Sequence, residues 1–148
     1  MKVVIAPQAF KGSISALDAA RAMAEGVARV LSDAEVVLVP VADGGDGTLE
    51  TLVDGSGGVI RSARVTGPLG DELTASWGAM GDGLTAVIEM ARTSGLALVP
   101  LERRDPLVAT TYGLGEAILA ALDRGFRRFI VGIGGSATND GGAGMAQA

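Results

Sequence analysis

An α/β fold built on a parallel sheet is the expectation, and three observations carry it. Residues 2–6 (KVVIA) and 35–39 (EVVLV) are short apolar runs, each stopped by a proline, as buried parallel strands are. Between them Leu17, Ala20, Ala24, Val27, Ala28 and Leu31 recur at spacings of three and four, which predicts an amphipathic helix over 16–31. A third run, 128–133 (RFIVGI), feeds a glycine-rich loop. Strand, helix and strand in succession favour a right-handed crossover between parallel strands.

Each further element follows from local chemistry. Ser15 with Asp18 three residues on resembles a capping box, with Asp in place of Glu or Gln. Residues 7–14 are a loop, and a short helix near 47–54 ends at the glycine-rich turn 55–58. From 59 to 90 the pattern changes to short strand-like runs (VIRSARV, LTASWGAM, TAVIEM) with an Asp82-Gly83 hairpin signal. That stretch reads as an antiparallel piece set into the α/β pattern. Residues 91–112 carry no clear period. Residues 115–124 (GEAILAALDR) predict a helix with Gly125 at C′. Arg124, Arg127 and Arg128 read as a solvated helix end, and Trp77 as packing. The chain closes on one turn of a helix, GMAQA, too short to stand alone. The expectation is therefore the N-terminal part of a longer protein.

Composition excludes several chemistries. The 148 residues include 23 Gly, no His and no Cys. A Ser-His-Asp triad, a Cys nucleophile, a Cys/His zinc site and a disulfide framework are all ruled out within this stretch. Apolar residues reach 48% and the glycines follow no Gly-X-Y period, so neither disorder nor collagen fits. The net charge of −5 gives no electrostatic reason to bind nucleic acid or an anionic membrane. No apolar run approaches a membrane span and no signal-peptide core is visible, so the expected location is cytoplasmic.

Three loops, 7–14, 40–48 and 134–144, each follow a strand. Ligands of open parallel sheets bind outside the carboxyl ends of the strands. Residues 132–144 hold six Gly with Ser136, Thr138, Asn139 and Asp140. A plain turn needs only one or two Gly. So many suggest backbone N–H groups brought close around a phosphate, with Gly134, Gly135, Ser136, Asn139, Gly141 and Gly142 as its walls. Asp140 and Asn139 can then face a metal. In 40–48, Asp43 and Asp46 stand among Gly44, Gly45 and Gly47, followed by Thr48. Carboxylates there suit Mg²⁺ or a hydroxyl proton. Lys11 of the first loop, followed by Gly12 and Ser13, suits a phosphate oxygen as a point charge. Glu89 ends a strand run and is a candidate to face the cleft. No Gly-Lys pair exists for a Walker A loop. The pattern G-x-G-x-x-A fits 132–137 but equally 81–86, inside the hairpin.

Taken in order, the blocks APxxFKGS, PVADGGDGT, VTGPLG, AVIEMA, TTYG and GIGGSATNDGGAGM resemble the bacterial glycerate kinase family along the whole chain. The resemblance implies ATP-dependent phosphorylation of D-glycerate, mostly at the 2-hydroxyl, with Mg²⁺. It implies a flavodoxin-like domain carrying a smaller β-rich swivelling domain as an insertion. Residues 1–58 would begin the first and 59–148 the second, with the chain covering roughly the family's first two fifths. It implies catalytic Lys11, Asp43 and Asp140, with Asp43 and Asp140 on the metal. Ser13, Gly44, Gly45, Gly47, Thr48, Gly134, Gly135, Ser136, Asn139, Gly141 and Gly142 would contact the nucleotide. The substrate carboxylate needs a cation, for which Arg92 or a residue beyond 148 is the candidate. The sequence departs from the family at Gln8 and Ala9, where Asp-Ser is usual, at Asp46 for Glu and at Leu114 for Thr. Two other readings stand beside this one: a non-catalytic phosphate-binding module and an NAD-dependent dehydrogenase. The 148 residues alone are expected to be inactive and poorly folded.

Overall fold

A computed structural model describes residues 1–10 and 13–148, so Lys11 and Gly12 lie outside the described residues. The chain forms two units, Met1–Asp43 and Gly44–Ala148.

In the first unit, β1 (Lys2–Ile5) pairs in parallel with β2 (Glu35–Leu38), with Val3 opposite Val36. The crossover between them is α1 (Ala16–Val30). The Ser15 hydroxyl accepts the Asp18 N–H at 3.1 Å and donates to the Asp18 carboxylate at 2.7 Å. One side chain therefore satisfies a helix N–H and fixes the first acidic residue, as a capping box does. Ala16, Ala19 and Ala20 are the buried stripe of this helix. The strands are less buried than the apolar runs predict. Only Ile5 of β1 is buried, and Val4 is 59% exposed. A two-stranded sheet with one helix covers a single face, so alternate side chains stay outside.

The second unit is a four-stranded sheet in the order β3-β4-β5-β6. It comprises β3 (Val59–Thr66), β4 (Glu72–Ala79), β5 (Thr85–Glu89) and β6 (Arg128–Gly132). β3, β4 and β5 are antiparallel neighbours, whereas β5 and β6 run parallel from Thr85 opposite Arg128 to Glu89 opposite Gly132. Asp82 makes the β4–β5 turn by accepting from Leu84 N, Thr85 N and the Thr85 hydroxyl. Every residue of β5 is buried, as a central strand between two layers requires.

Helix α2 (Thr48–Ser56) begins after left-handed Gly47 and ends at left-handed Gly57. It packs Leu49 and Val53 on Val87. Gly78 of β4 makes this approach possible, because a Cβ there would lie 2.3 Å from Val53 Cγ2. Against the other cluster, α4 (Tyr112–Leu122) packs Leu114, Ala117 and Ala121 on Trp77, Ile88 and Phe126. The rings of Trp77 and Phe126 meet edge-on, with centroids 5.5 Å apart. Leu114, the residue that replaces the usual Thr, is a core side chain here.

α4 begins three residues before the predicted 115 and ends two before 124. Gly113 and Gly115 depress helix propensity but let the helix lie close to the Thr66 and Met145 carbonyls. Between β5 and α4 the chain makes α3 (Met90–Ser94) and two short 3₁₀ turns, Leu96–Leu98 and Leu101–Arg103. α5 (Ala143–Gln147) closes the chain as the expected single turn.

Candidate functional site

Two of the glycine loops meet at the carboxyl ends of β5 and β6. Gly134 N–H donates to the Gly44 carbonyl at 2.8 Å, and Gly44 N–H donates to the Thr48 hydroxyl at 3.0 Å. A Cβ on Gly132 would lie 2.7 Å from Gly44 O, and one on Gly134 would lie 2.6 Å from Gly45 Cα. The glycines therefore serve a backbone-on-backbone contact that no larger residue allows. Gly44 and Gly47 also take positive φ, +88° and +90°.

The second loop is pinned from its other side by α3. Leu96 N–H donates to Gly135 O at 2.8 Å, and Ala137 N–H donates to Ser94 O at 2.9 Å. Ser136 and Thr138 share a hydroxyl hydrogen bond of 2.8 Å. Among the described residues, the N–H groups of Gly135, Ser136, Asn139, Asp140 and Gly141 make no hydrogen bond. These donors fit the oxygens of a phosphate group.

Asp140 is held by four hydrogen-bond donors. Its Oδ2 accepts from Thr111 N at 2.8 Å, the Thr111 hydroxyl at 2.8 Å and Gly144 N at 3.1 Å. Its Oδ1 accepts from Gly142 N at 3.0 Å. Partial burial works against the charge of this carboxyl, but the Thr111, Gly142 and Gly144 donors outweigh it and hold its pKa below the ordinary value. A carboxylate offers about four lone-pair sites, and four donors are already on it. Asp140 thus ties the loop to Thr111, the residue before α4, with three of the four donors on one oxygen.

Asp43 is an exposed residue at the end of the first unit. Ser13 lies in the same unit, where its N–H donates to Phe10 O. Asp46 is exposed, and its carboxylate lies 3.8 Å from a Cβ built on Gly135. Among the described residues no three His, Cys, Asp or Glu side chains gather as a metal site.

Composition gave no hint of the ionic network behind the first loop. Glu89, 1% exposed, accepts Leu49 N–H at 2.6 Å on Oε1 and Arg92 Nε at 2.7 Å on Oε2. Arg92 Nη2 reaches Glu50 Oε1 at 2.5 Å, and the other oxygen of Glu50 is buried without a partner. A carboxylate from the end of β5 thereby caps the first turn of α2, the turn that carries the 44–48 loop. Burial disfavours the charge of Arg92, but Glu89 and Glu50 overcome this and raise its pKa. Arg92 so spends two nitrogens inside the protein, and the triad carries a formal charge of −1. Glu89 faces the interior and not a cleft.

The glycine pattern at 132–137 opens no helix, since α5 starts only at Ala143. A dinucleotide fold needs a helix to begin within that pattern. Comparison with known proteins identifies the family. The model of the Glycerate kinase family matches residues 3–148.

The chain belongs to the glycerate kinase family.

Glycerate 2-kinase of Escherichia coli K12 is 58% identical over 148 residues, all of this chain and 39% of its own length. Glycerate kinase of Bacillus subtilis 168 is 59% identical over the same extent. The crystal structure of a glycerate kinase 2 candidate from Salmonella typhimurium LT2 superposes with a TM-score of 0.88 at 52% identity. It covers 100% of this chain and 40% of the solved one. The chain therefore spans about two fifths of the length of the relatives it matches. Its mixed α/β fold with parallel strand pairs is the fold this resemblance implied. Among the described residues no helix is long and apolar enough to cross a membrane.

Proposed function

We propose that the whole protein is a cytoplasmic kinase that transfers the terminal phosphoryl group of ATP to the 2-hydroxyl of D-glycerate. Family membership supports this, as does the name of the Escherichia coli relative, glycerate 2-kinase. The observation that carries it is the pair of interlocked glycine loops at the carboxyl ends of β5 and β6, with five N–H groups unspent.

In this reading the N–H groups of Gly135, Ser136 and 139–141 take the phosphate oxygens, and the side chains of Ser136 and Asn139 assist. Phosphoryl transfer depends mainly on positioning and charge neutralisation, which fixed backbone donors supply without reorganisation. A cavity of about 280 Å³ beside Ser136 and Thr138, lined by Leu96, Val99, Pro106 and Ala109, would hold the nucleotide base. Residues 44–48 would close over the phosphates. Asp43 would accept the proton of the substrate hydroxyl, and Lys11 would neutralise phosphate charge. Mg²⁺, when bound, would offset the charge of the phosphate oxygens, with Asp43 as its candidate carboxylate. Residues 1–58 would belong to the flavodoxin-like domain and 59–148 to the domain inserted in it.

Phosphorus NMR of the full-length enzyme with ATP and D-glycerate tests the proposal. 2-Phosphoglycerate is the expected product, and Asp43→Asn should lower kcat at least about 100-fold. Formation of 3-phosphoglycerate would overturn the regiochemistry, and a normal kcat would remove Asp43. Gln8 and Ala9, in place of the usual carboxylate and hydroxyl, favour a second reading, a module that binds nucleotide without turnover. Saturable ATP binding with no phosphorylated product would establish it.

A further inference from the structure

We propose that the second unit carries another binding pocket, at the end of the sheet opposite the glycine loops, for a small phosphate-bearing anion. A cavity of about 600 Å³ lies there, lined by Arg61 and Arg124 together with Phe126, Met80, Gly58 and Gly81. That volume is typical of small-molecule sites. The glycine loops follow the last residues of β5 and β6, whereas this pocket lies by their first residues. Five strand residues at ~3.3 Å each put about 16 Å between the two.

The charge of the pocket is one-sided. Both cations face the cavity, and no Asp or Glu lines it among the described residues. Of the acidic residues next in sequence to the lining, Asp82 spends its oxygens on Leu84 N, Thr85 N and the Thr85 hydroxyl, and Asp123, beside Arg124, is exposed and does not line the cavity. Arg61 makes no hydrogen bond or ion pair among the described residues, and Arg124 gives one nitrogen to Ala120 O at 3.0 Å. In a chain of net charge −5, two exposed guanidinium groups without a carboxylate partner are open to an external anion. Arginine forks suit phosphate oxygens, which accept parallel N–H bonds.

The two arginines are also held in place. Arg61 stands opposite Trp77 across the β3–β4 ladder. The guanidinium carbons of Arg61 and Arg124 lie 5.9 and 5.8 Å from the centroid of the Trp77 ring. Cation–π contact with a fully buried ring restrains both side chains, so less freedom is lost on binding. The apolar wall of Phe126, Met80 and Val59 would accept the carbon part of the ligand. This site does not depend on the kinase reading, because none of its residues belongs to the glycine loops.

Trp77 is the only tryptophan of these 148 residues and serves as the reporter. The full-length protein is titrated with inorganic pyrophosphate, against potassium chloride at matched ionic strength, by tryptophan emission and by calorimetry. A saturable response is expected. Arg61→Gln and Arg124→Gln should each weaken the Trp77 emission response about tenfold, and the double variant should abolish that response and remove one binding event from the calorimetric titration, with an unchanged circular dichroism spectrum. Arg61→Lys should recover part of the loss. Asp140→Asn, on the glycine loop, should leave the response as it was. No saturable response in the wild type, or a double variant that titrates like it, would overturn the proposal. So would a response lost in Asp140→Asn but kept in the arginine variants, which would locate it at the glycine loops.

Discussion

Replacing Asp140 by Ala should loosen the 139–145 loop without unfolding the sheet. The substitution strips the acceptor from Thr111 N, the Thr111 hydroxyl, Gly142 N and Gly144 N. A hydrogen bond to a charged group contributes about 1.5 kcal/mol at the low end. Asp140 is partly exposed, so water takes over some of these donors. Counting half of the four gives about 3 kcal/mol, equivalent to roughly a 100-fold change in an opening equilibrium. Amide hydrogen exchange reads this directly, because Gly142 and Gly144 should exchange about 100-fold faster. Asp140→Asn keeps one acceptor oxygen and should produce an intermediate effect. A metal ligand would behave differently: the Asn variant would shift the Mg²⁺ midpoint and leave metal-free ADP binding intact. Unchanged exchange at Gly142 and Gly144, or an effect confined to Mg²⁺, would refute the assignment.

Further outcomes follow from the same contacts. The folded-state pKa of Asp140 is lowered, so its contribution is complete above the unfolded value of about 3.9 and fades as pH falls through the folded value. Acid titration of the wild type should therefore lose this increment below about pH 4, and Asp140→Ala should flatten that part of the curve. Glu89→Ala leaves Leu49 N and Arg92 Nε without their acceptor, and breaking a buried ion pair costs about 3 kcal/mol or more. Urea denaturation followed by circular dichroism should show a lower midpoint, and Glu89→Gln a smaller drop. Gly95→Ala puts a Cβ 1.9 Å from Ala91 O, whereas Gly26→Ala on α1 meets nothing within 4 Å. Thermal melts should show the first destabilised and the second stabilised, the latter by up to about 1 kcal/mol.

Sequence legibility followed the range of the contacts. α1 could be read because its stripe and its Ser15–Asp18 cap are local. The β3–β4–β5 meander could be read because alternation and the Asp82-Gly83 turn are local too. Residues 91–112 could not, since α3 and the turn after it are held by Gly135 and Ala137 from distant sequence. The glycine loops stood out by composition, and two of them do meet. The purpose of Asp140 did not, because its main partner Thr111 lies 29 residues earlier. Glu89 and Leu49 are likewise 40 residues apart. A lone carboxylate in a sequence does not reveal which backbone N–H it will cap.

The strand order has a consequence for assembly. β3, β4 and β5 are joined by short turns and pair with their immediate neighbours. β6 must find β5 across 43 residues, the separation of Thr85 and Arg128. Closing so long a loop costs entropy before any contact repays it. The meander and α2 can therefore order first, with Glu89 already at the end of its strand. The glycine loop follows β6 and is shaped in the last step. A nascent chain thus acquires its meander before its glycine loop, and a chain stalled at that stage presents the flank of β5 as an open edge to any passing strand.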